Sequence, residues 1–298
     1  MNKQKLLFIV NPNSGKGEIR QHLLGCVEQF VRAGFQVEVY TTQKPNDAME
    51  IVRERGGTFD RIVCSGGDGT LNEVISGLRV GNHQTVLGYI PVGTVNDFAT
   101  SLGIPKAPQQ AAALCVTGEP FEVDIGRFGE RYFDYIAAFG AFTEVSYQTP
   151  QENKNALGRI AYLLEGVREL PQIKEIPMTV ITDNERIEGE FLYGMVSNTT
   201  TVAGIKGLPI PDVRMDDGLF EVVLIRLPKT RAEWQQALSE LAQPETEWSF
   251  LLRFAASKIR FCSEQPVAWT LDGEFGGKHT EVEIETIHPG VQILVDGI

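Results

Sequence analysis

The chain has 298 residues, and its 27 Lys and Arg against 39 Asp and Glu give a net charge of −12, which argues against a general nucleic-acid partner. Hydrophobic residues at 42% and charged residues at 22% are ordinary globular proportions, and 30 Gly with 15 Pro exclude collagen-like and low-complexity readings. At roughly 150 residues per domain, the length corresponds to about two domains.

Leu6–Val10 is a continuous apolar run, the pattern of a strand buried on both faces. Asn11–Gly17 reads as a loop. Glu18–Ala33 carries Ile19, Leu23, Val27, Phe30 and Val31 at helical spacing, and Gly34 closes it. Phe35–Tyr40 is expected as a second strand, Asp47–Arg55 as a second helix and Arg61–Cys64 as a third strand. Ser65-Gly66-Gly67-Asp68-Gly69-Thr70 then opens a helix running to Leu78. Val86–Ile90, Gln109–Val116 and Phe121–Ile125 follow as strand, helix and strand. This βαβα order predicts an open, mostly parallel sheet with helices on both faces.

After Gly126 the rhythm changes. Arg131–Ala137, Pro177–Ile181, Glu188–Val196, Leu219–Ile225, Lys258–Cys262, Ala268–Leu271, Val282–Ile287 and Val291–Val295 are short, strand-like and bounded by Gly, Pro or Asp. That is the signature of an antiparallel all-β domain. Two helices interrupt it, at Leu157–Leu170 and at Thr230–Ala242. The expected division is an α/β domain over residues 1–126 and a β-sandwich over 127–285.

Cys26, Cys64, Cys115 and Cys262 are scattered without a C-x-x-C pair and read as reduced thiols of a cytoplasmic protein. His22, His83, His279 and His288 show no metal-ligand spacing. The apolar run Leu6–Val10 is too short for a secretory leader, and no stretch approaches the ~20 apolar residues of a membrane span.

Three loops at successive strand ends carry the chemistry. Gly66-Gly67-Asp68-Gly69-Thr70 lets backbone approach a phosphate and leads into a helix N-terminus with open N–H donors. Asp68 can orient a magnesium-bound phosphate. Asn11-Pro12-Asn13-Ser14-Gly15-Lys16-Gly17 lacks the P-loop spacing, yet places backbone N–H groups, Ser14 and Lys16 where a polyphosphate can sit. Pro91-Val92-Gly93-Thr94-Val95-Asn96-Asp97-Phe98-Ala99 offers Thr94 and Asn96 to a nucleotide, while Asp97 by itself reads as a helix cap. Each loop alone could be a turn; three in succession are hard to explain that way.

Together these motifs resemble the diacylglycerol kinase catalytic domain family, which includes bacterial soluble lipid kinases, sphingosine kinases and ceramide kinases. The Gly-Gly-Asp-Gly-Thr element is shared with NAD kinases and phosphofructokinases, whereas Thr94-Val95-Asn96-Asp97-Phe98-Ala99 is more specific to the lipid kinases. The resemblance implies an α/β nucleotide-binding domain and a β-sandwich, an active site in the cleft between them, and a C-terminal segment, residues 286–298, packed back on the first domain. It implies ATP contacts at Asn11, Thr41, Gly66, Gly67, Asp68, Gly69, Thr70, Leu71, Asn72 and Thr94. Leu271-Asp272-Gly273-Glu274 by itself reads as an Asp-Gly hairpin turn. The resemblance reverses that order and makes Asp272 and Glu274 the candidates for accepting the acceptor hydroxyl's proton.

The resemblance also implies a magnesium loop at Arg214-Met215-Asp216-Asp217-Gly218-Leu219, with Asp217 giving a carboxylate and Arg214 and Leu219 giving backbone carbonyls. A turn into the following strand is the rival reading. Asp124 falls at a family position for a carboxylate near the active-site charge network. Thr199-Thr200-Thr201-Val202-Ala203-Gly204 departs from the family's Gly-rich pattern and puts acceptor identity, rather than kinase chemistry, in question. A lipid acceptor must come from a membrane surface. The helix at Leu157–Leu170, with Lys154, Arg159, Arg168 and Lys174 nearby, is a candidate contact, though a core stripe is the commoner meaning of such spacing. A second copy of the chain is a further candidate partner. The expectation is a cytoplasmic, peripherally membrane-associated lipid kinase using ATP and magnesium. A soluble-acceptor kinase of the NAD kinase type and a non-catalytic nucleotide or lipid sensor stand as rivals.

Overall fold

The computed structural model describes residues 3–15, 17–140, 175–198, 213–241 and 249–297. Lys16, the helix expected at Leu157–Leu170 with its basic neighbours, and the departure at 199–212 lie outside the described residues. The chain divides into two compact units, Met1–Ile125 with His288–Ile298, and Gly126–Ile287.

In the first unit, β1 (Lys5–Val10), β2 (Gln36–Thr41), β3 (Arg61–Gly66) and β4 (Val86–Pro91) are parallel and ordered β2-β1-β3-β4. β1, β3 and β4 are each buried beyond their first residue, which is why they read as unbroken apolar runs. β2 forms the edge and has no buried residue. The crossovers carry α1 (Ile19–Arg32), α2 (Asp47–Arg55), α3 (Asp68–Val80), α4 (Asp97–Ser101) and α5 (Pro108–Thr117). α1 packs with α5 and α2 with α3. The strand order reverses at β1, with β2 on one side and β3 on the other. In sheets of this kind, the crevice outside the carboxyl ends at that reversal is where ligands bind.

β5 (Glu119–Phe128) and the final strand β14 (Glu274–Val295) each contribute residues to both units. Within the first unit, Ile293 of β14 pairs in parallel with Leu87 of β4. Sequence reading had split β14 into Val282–Ile287 and Val291–Val295, because Pro289 and Gly290 interrupt the apolar pattern.

The second unit is antiparallel and strand-rich. β6 (Arg131–Phe133), β7 (Ile136–Gly140), β8 (Ile176–Thr182), β9 (Arg186–Phe191), β10 (Tyr193–Ser197), β11 (Phe220–Ile225), β12 (Leu251–Ala256) and β13 (Lys258–Leu271) follow in chain order, with α6 (Arg231–Leu241) between β11 and β12. β12-β11-β10-β7-β13 are successive neighbours, while β8 pairs with β9 and with the first half of β13. β13 therefore changes partner along its length, through register breaks at Cys262/Val267 and Trp269/Thr270. Pro266 falls inside the first break, which is where a strand tolerates a residue lacking an N–H.

One core fills the unit, fed from both sides by Met178 and Val180 of β8 and by Phe139, Phe220, Val222 and Leu224 of β7 and β11. Trp269, 1% exposed, is its centre, with ring centroids 4.8 Å from Phe139, 5.1 Å from Phe261 and 5.3 Å from Phe128. The expected strand Arg131–Ala137 is two strands, for a reason that lies in the site.

Candidate functional site

The three loops of the first unit meet through their backbones. Asn11 donates its N–H to Ser65 O at 2.9 Å, and Val92 donates to Gly66 O at 2.9 Å. A Cβ on Gly93 would lie 2.5 Å from Gly67 Cα, so the second and third loops approach closer than any other residue allows. A Cβ on Gly66 would lie 2.4 Å from Thr70 Cβ. The glycines thus clear the space that lets β3 turn straight into α3.

Side chains lock this arrangement. Asn11 Nδ2 donates to Thr70 Oγ1 at 2.9 Å. Asn96 accepts from Gly93 N at 3.0 Å and donates to Gly93 O at 2.9 Å, closing its own loop. The Tyr89 hydroxyl reaches both Asn96 Oδ1 and Gly66 O at 3.3 Å. Asn96, offered by the sequence to a nucleotide, is 6% exposed and braces the loop from within. It also serves as the cap residue of α4, in a left-handed conformation at φ 54°, so Asp97 follows the cap as the first helical residue.

α3 starts at Asp68, with Gly67 as its cap residue and no side-chain cap. The first N–H groups of a helix lack intrahelical partners and sit at the positive end of its dipole. Gly66, Gly67, Asp68, Gly69 and Thr70 lie at this helix N-terminus, an arrangement that can receive an anion. The Leu71 side chain is fully buried, and the N–H groups of Thr70 and Leu71 both go to Gly67 O, at 3.0 and 3.1 Å. Asn72 is half-buried one residue further along α3. Glu73, from the same motif, accepts from Asn46 N at 2.8 Å and Ala48 N at 3.1 Å and holds the start of α2. Thr41 is the last residue of β2, in register with Val10 and exposed, and Thr94 is exposed in the third loop.

Asp68 links two loops. Its Oδ2 accepts from Asn96 N at 2.9 Å, while Oδ1 is enclosed without a hydrogen-bond partner. Burial raises its pKa, and the N–H groups of Asn96, Asp68, Phe98 and Asp97 pull it back. An enclosed, unmatched carboxylate oxygen beside such a helix N-terminus suits a cation or a cation-bound water. Asp124, 1% exposed, meets His288 Nδ1 at 2.6 Å through Oδ1. Nothing local marks His288 for this contact; the return of His288–Ile298 to the first unit brings it to Asp124.

In the second unit, Asp272 occupies a turn at φ 49°, followed by Gly273 at φ 85°. Its carboxylate accepts from Asp134 N at 2.7 Å, Tyr135 N at 3.1 Å and Ile136 N at 3.0 Å. These three N–H groups turn away from a ladder, which is why β6 and β7 are separate strands. The geometry fixes the Asp272 side chain in one orientation, as a positioned proton acceptor requires. Glu274 is exposed at the start of β14, so the two carboxylates differ sharply in setting.

The Arg214–Leu219 loop is exposed at Arg214, Asp217 and Leu219. Arg214 pairs with Asp216 at 3.4 Å, and Asp217 Oδ1 accepts from Leu219 N at 3.0 Å. The strand starts at Phe220, one residue later than expected, because Gly218 turns the chain at φ 78°. Among the described residues no group of three His, Cys, Asp or Glu could hold a metal ion. The donor set expected here is one carboxylate with backbone carbonyls, and such hard oxygens fit magnesium. A second sign of fit is nearby: Glu221 is 9% exposed, its Oε2 has no hydrogen-bond partner, and burial with Asp217's charge raises its pKa to about 7.

No cysteine forms a disulfide, and burial pushes the thiols of Cys26 to about 11 and Cys115 to about 12, which removes them as nucleophiles. Among the described residues no helix is long and apolar enough to cross a membrane.

Comparison with known proteins gives a consistent picture. Residues 5–128 match the model of the diacylglycerol kinase catalytic domain. A diacylglycerol kinase of Staphylococcus aureus (strain bovine RF122 / ET3-1) is 34% identical over 93% of this chain and 88% of its own length. A crystal structure from Bacillus anthracis str. Sterne, of a protein carrying a diacylglycerol kinase assignment, is 27% identical with a TM-score of 0.81, covering 99% of this chain and 96% of that one. A second structure from that organism, described as a diacylglycerol kinase, has a TM-score of 0.76 over 99% of this chain and 98% of that one; at 23% identity it speaks to the fold.

Proposed function

The chain belongs to the diacylglycerol kinase family, a family of lipid kinases, and on that premise we propose that it transfers the γ-phosphate of ATP to the hydroxyl of diacylglycerol, giving phosphatidate and ADP. The observation that carries this reading is the uncapped N-terminus of α3, set among three loops whose backbones are in contact. Such a helix start favours an anion, and phosphoryl transfer depends on positioning and charge neutralisation more than on covalent help from the protein.

In this reading the N–H groups of Gly67, Asp68 and Gly69 hold the phosphates, with Thr70 contributing its side of the loop. Asn11, Thr41, Asn72 and Thr94 lie around them as contacts to the nucleotide. Asp68, through its enclosed Oδ1, and Asp124 would hold magnesium there. Magnesium supplies neutralisation of the phosphate oxygens when bound. Asp272 orients the acceptor hydroxyl and takes its proton late, as the new P–O bond forms; a carboxylate is too weak a base to ionise an alcohol beforehand. Glu274 assists from its exposed position. Asp217, with the backbone carbonyls of Arg214 and Leu219, would hold a second magnesium, which would brace that loop. The protein works in the cytoplasm and meets its lipid at a membrane surface.

The test is ATP-dependent phosphate transfer in mixed detergent micelles with magnesium. The acceptors are diacylglycerol, monoacylglycerol, sphingosine, phosphatidylglycerol and soluble NAD. Phosphatidate formed by the wild type and lost in Asp272→Asn is the expected result. Transfer to NAD alone would place the protein among soluble-acceptor kinases. ATP binding with no transfer to any acceptor would favour a sensor.

A further inference from the structure

β11 is buried along its whole length, but its two faces differ. Phe220, Val222 and Leu224 enter the aromatic-rich core. Glu221 belongs to the alternate set and points to the other face. Ser197 of β10 stands directly opposite it, and residues so paired share a face with Cβ atoms about 4.5–5.5 Å apart. Ser197 is fully buried and its Oγ has no hydrogen-bond partner; Glu221 Oε2 has none either. Two adjacent, enclosed and unmatched oxygens are costly in a protein interior and call for a partner.

The Arg214–Leu219 loop lies against this pair. Asn198, next to Ser197, donates from Nδ2 to Met215 O at 3.3 Å, and Asp217 and Leu219 lead directly into β11. Arg214, the loop's own cation, is exposed and turned to Asp216. On the far side of Glu221 its other cross-strand neighbour, Ala255 of β12, is exposed. Two carboxylates, a buried hydroxyl and backbone carbonyls make a hard-oxygen environment, the kind preferred by magnesium or manganese.

Building on the reading of Arg214–Leu219 as a cation loop, we propose that Glu221 is a further positioning carboxylate of that site, holding the cation's bound water from the buried side together with Ser197. Magnesium keeps several of its waters in protein sites, and carboxylates that receive those waters orient the ion as firmly as its direct ligands do. The arrangement also accounts for a Glu at a strand position whose neighbours are apolar.

The experiment uses the full chain, stripped with EDTA, and manganese as probe. Loss of the free-ion electron paramagnetic resonance signal gives the number and affinity of bound ions. The wild type should show a site that Asp217→Asn lacks, and Glu221→Gln should weaken that site by about 10–100-fold. Without divalent ions Glu221→Gln should melt above the wild type, and saturating magnesium should close or reverse that gap. Far-UV circular dichroism checks the fold, and Glu221→Asp, which keeps the charge, should fall between. Wild-type affinity in Glu221→Gln, with the site lost in Asp217→Asn, would overturn the role of Glu221 and leave the loop site standing. Wild-type affinity in both would remove the loop site as well.

Discussion

Replacing Asp272 by Asn tests a structural and a chemical claim at once. The carboxylate receives three backbone N–H groups at 2.7–3.1 Å. An Asn has the same shape but one acceptor oxygen. That oxygen can keep Tyr135 and Ile136, now as neutral bonds of about half the strength. The amide nitrogen then confronts Asp134 N–H, donor against donor, and an unmatched buried donor costs about 1–3 kcal/mol. The sum is a loss of about 3–4 kcal/mol, since bonds to charged groups contribute about 1.5–3 kcal/mol each. At about 2–4 °C per kcal/mol, the melting temperature should fall by about 10 °C. A circular dichroism melt of the full chain measures this. Turnover with diacylglycerol, measured well below that melting temperature, should fall by about 10²–10⁴-fold if Asp272 accepts the proton. Glu274→Gln is the control for stability: exposed, it should change it by less than about 0.5 kcal/mol. An unchanged melting temperature would refute the anchoring role. Wild-type turnover in a folded Asp272→Asn would refute the base.

Asp68→Asn should behave in the opposite manner, because Asn Oδ1 can still accept from Asn96 N–H. Its melt should stay near the wild type while phosphate transfer drops by at least about 100-fold, and retained transfer would remove Asp68 from the phosphate site. Gly93→Ala drives a Cβ to 2.5 Å from Gly67 Cα and 2.7 Å from Asn96 Oδ1. Calorimetry should show weakened ATP binding and a loss of about 1–3 kcal/mol in stability; unaltered binding would sink the claim that backbone contact shapes the cradle. The pKa of Glu221 is raised to about 7, against about 4.3 for an unfolded Glu. Between those values the folded chain holds more protons than the unfolded one, so its stability falls as pH rises through that window. In EDTA the wild-type melting temperature should decline across the window more steeply than that of Glu221→Gln, and equal slopes would contradict the assignment.

The parts of this molecule that could be read from sequence are those fixed by neighbours along the chain. β1, β3 and β4 are buried on both faces and announce themselves as apolar runs. The glycines after them mark places where backbone approaches backbone. What could not be read depends on distant partners. Asp272 and the N–H groups it receives are 136–138 residues apart, so the split between β6 and β7 has no local cause. β13 and β14 were seen in pieces, because bulges absorb Pro266, and Gly277 at φ 104° sits within an unbroken strand. Leu71 lies inside a phosphate-loop motif yet faces the core, a distinction that motif spacing does not carry. Glu221 and His288 carry no local signal, since a lone acid in a strand and a lone His near a terminus have no pattern. Their meaning comes from Ser197 and Asp124 across the sheet and across the chain.

The pairing of β14 with β4 bears on how the protein is made. Residues 1–125 leave the ribosome well before 288–295, yet β4 has its outer neighbour only when that last strand arrives. Until then the nascent sheet presents an open hydrogen-bonding edge along Val86–Pro91, the kind of surface that other chains can capture. Closure over so long a sequence separation is slow. The first unit is thus translated first and finished last, and the interval between is when its open edge is exposed to other chains.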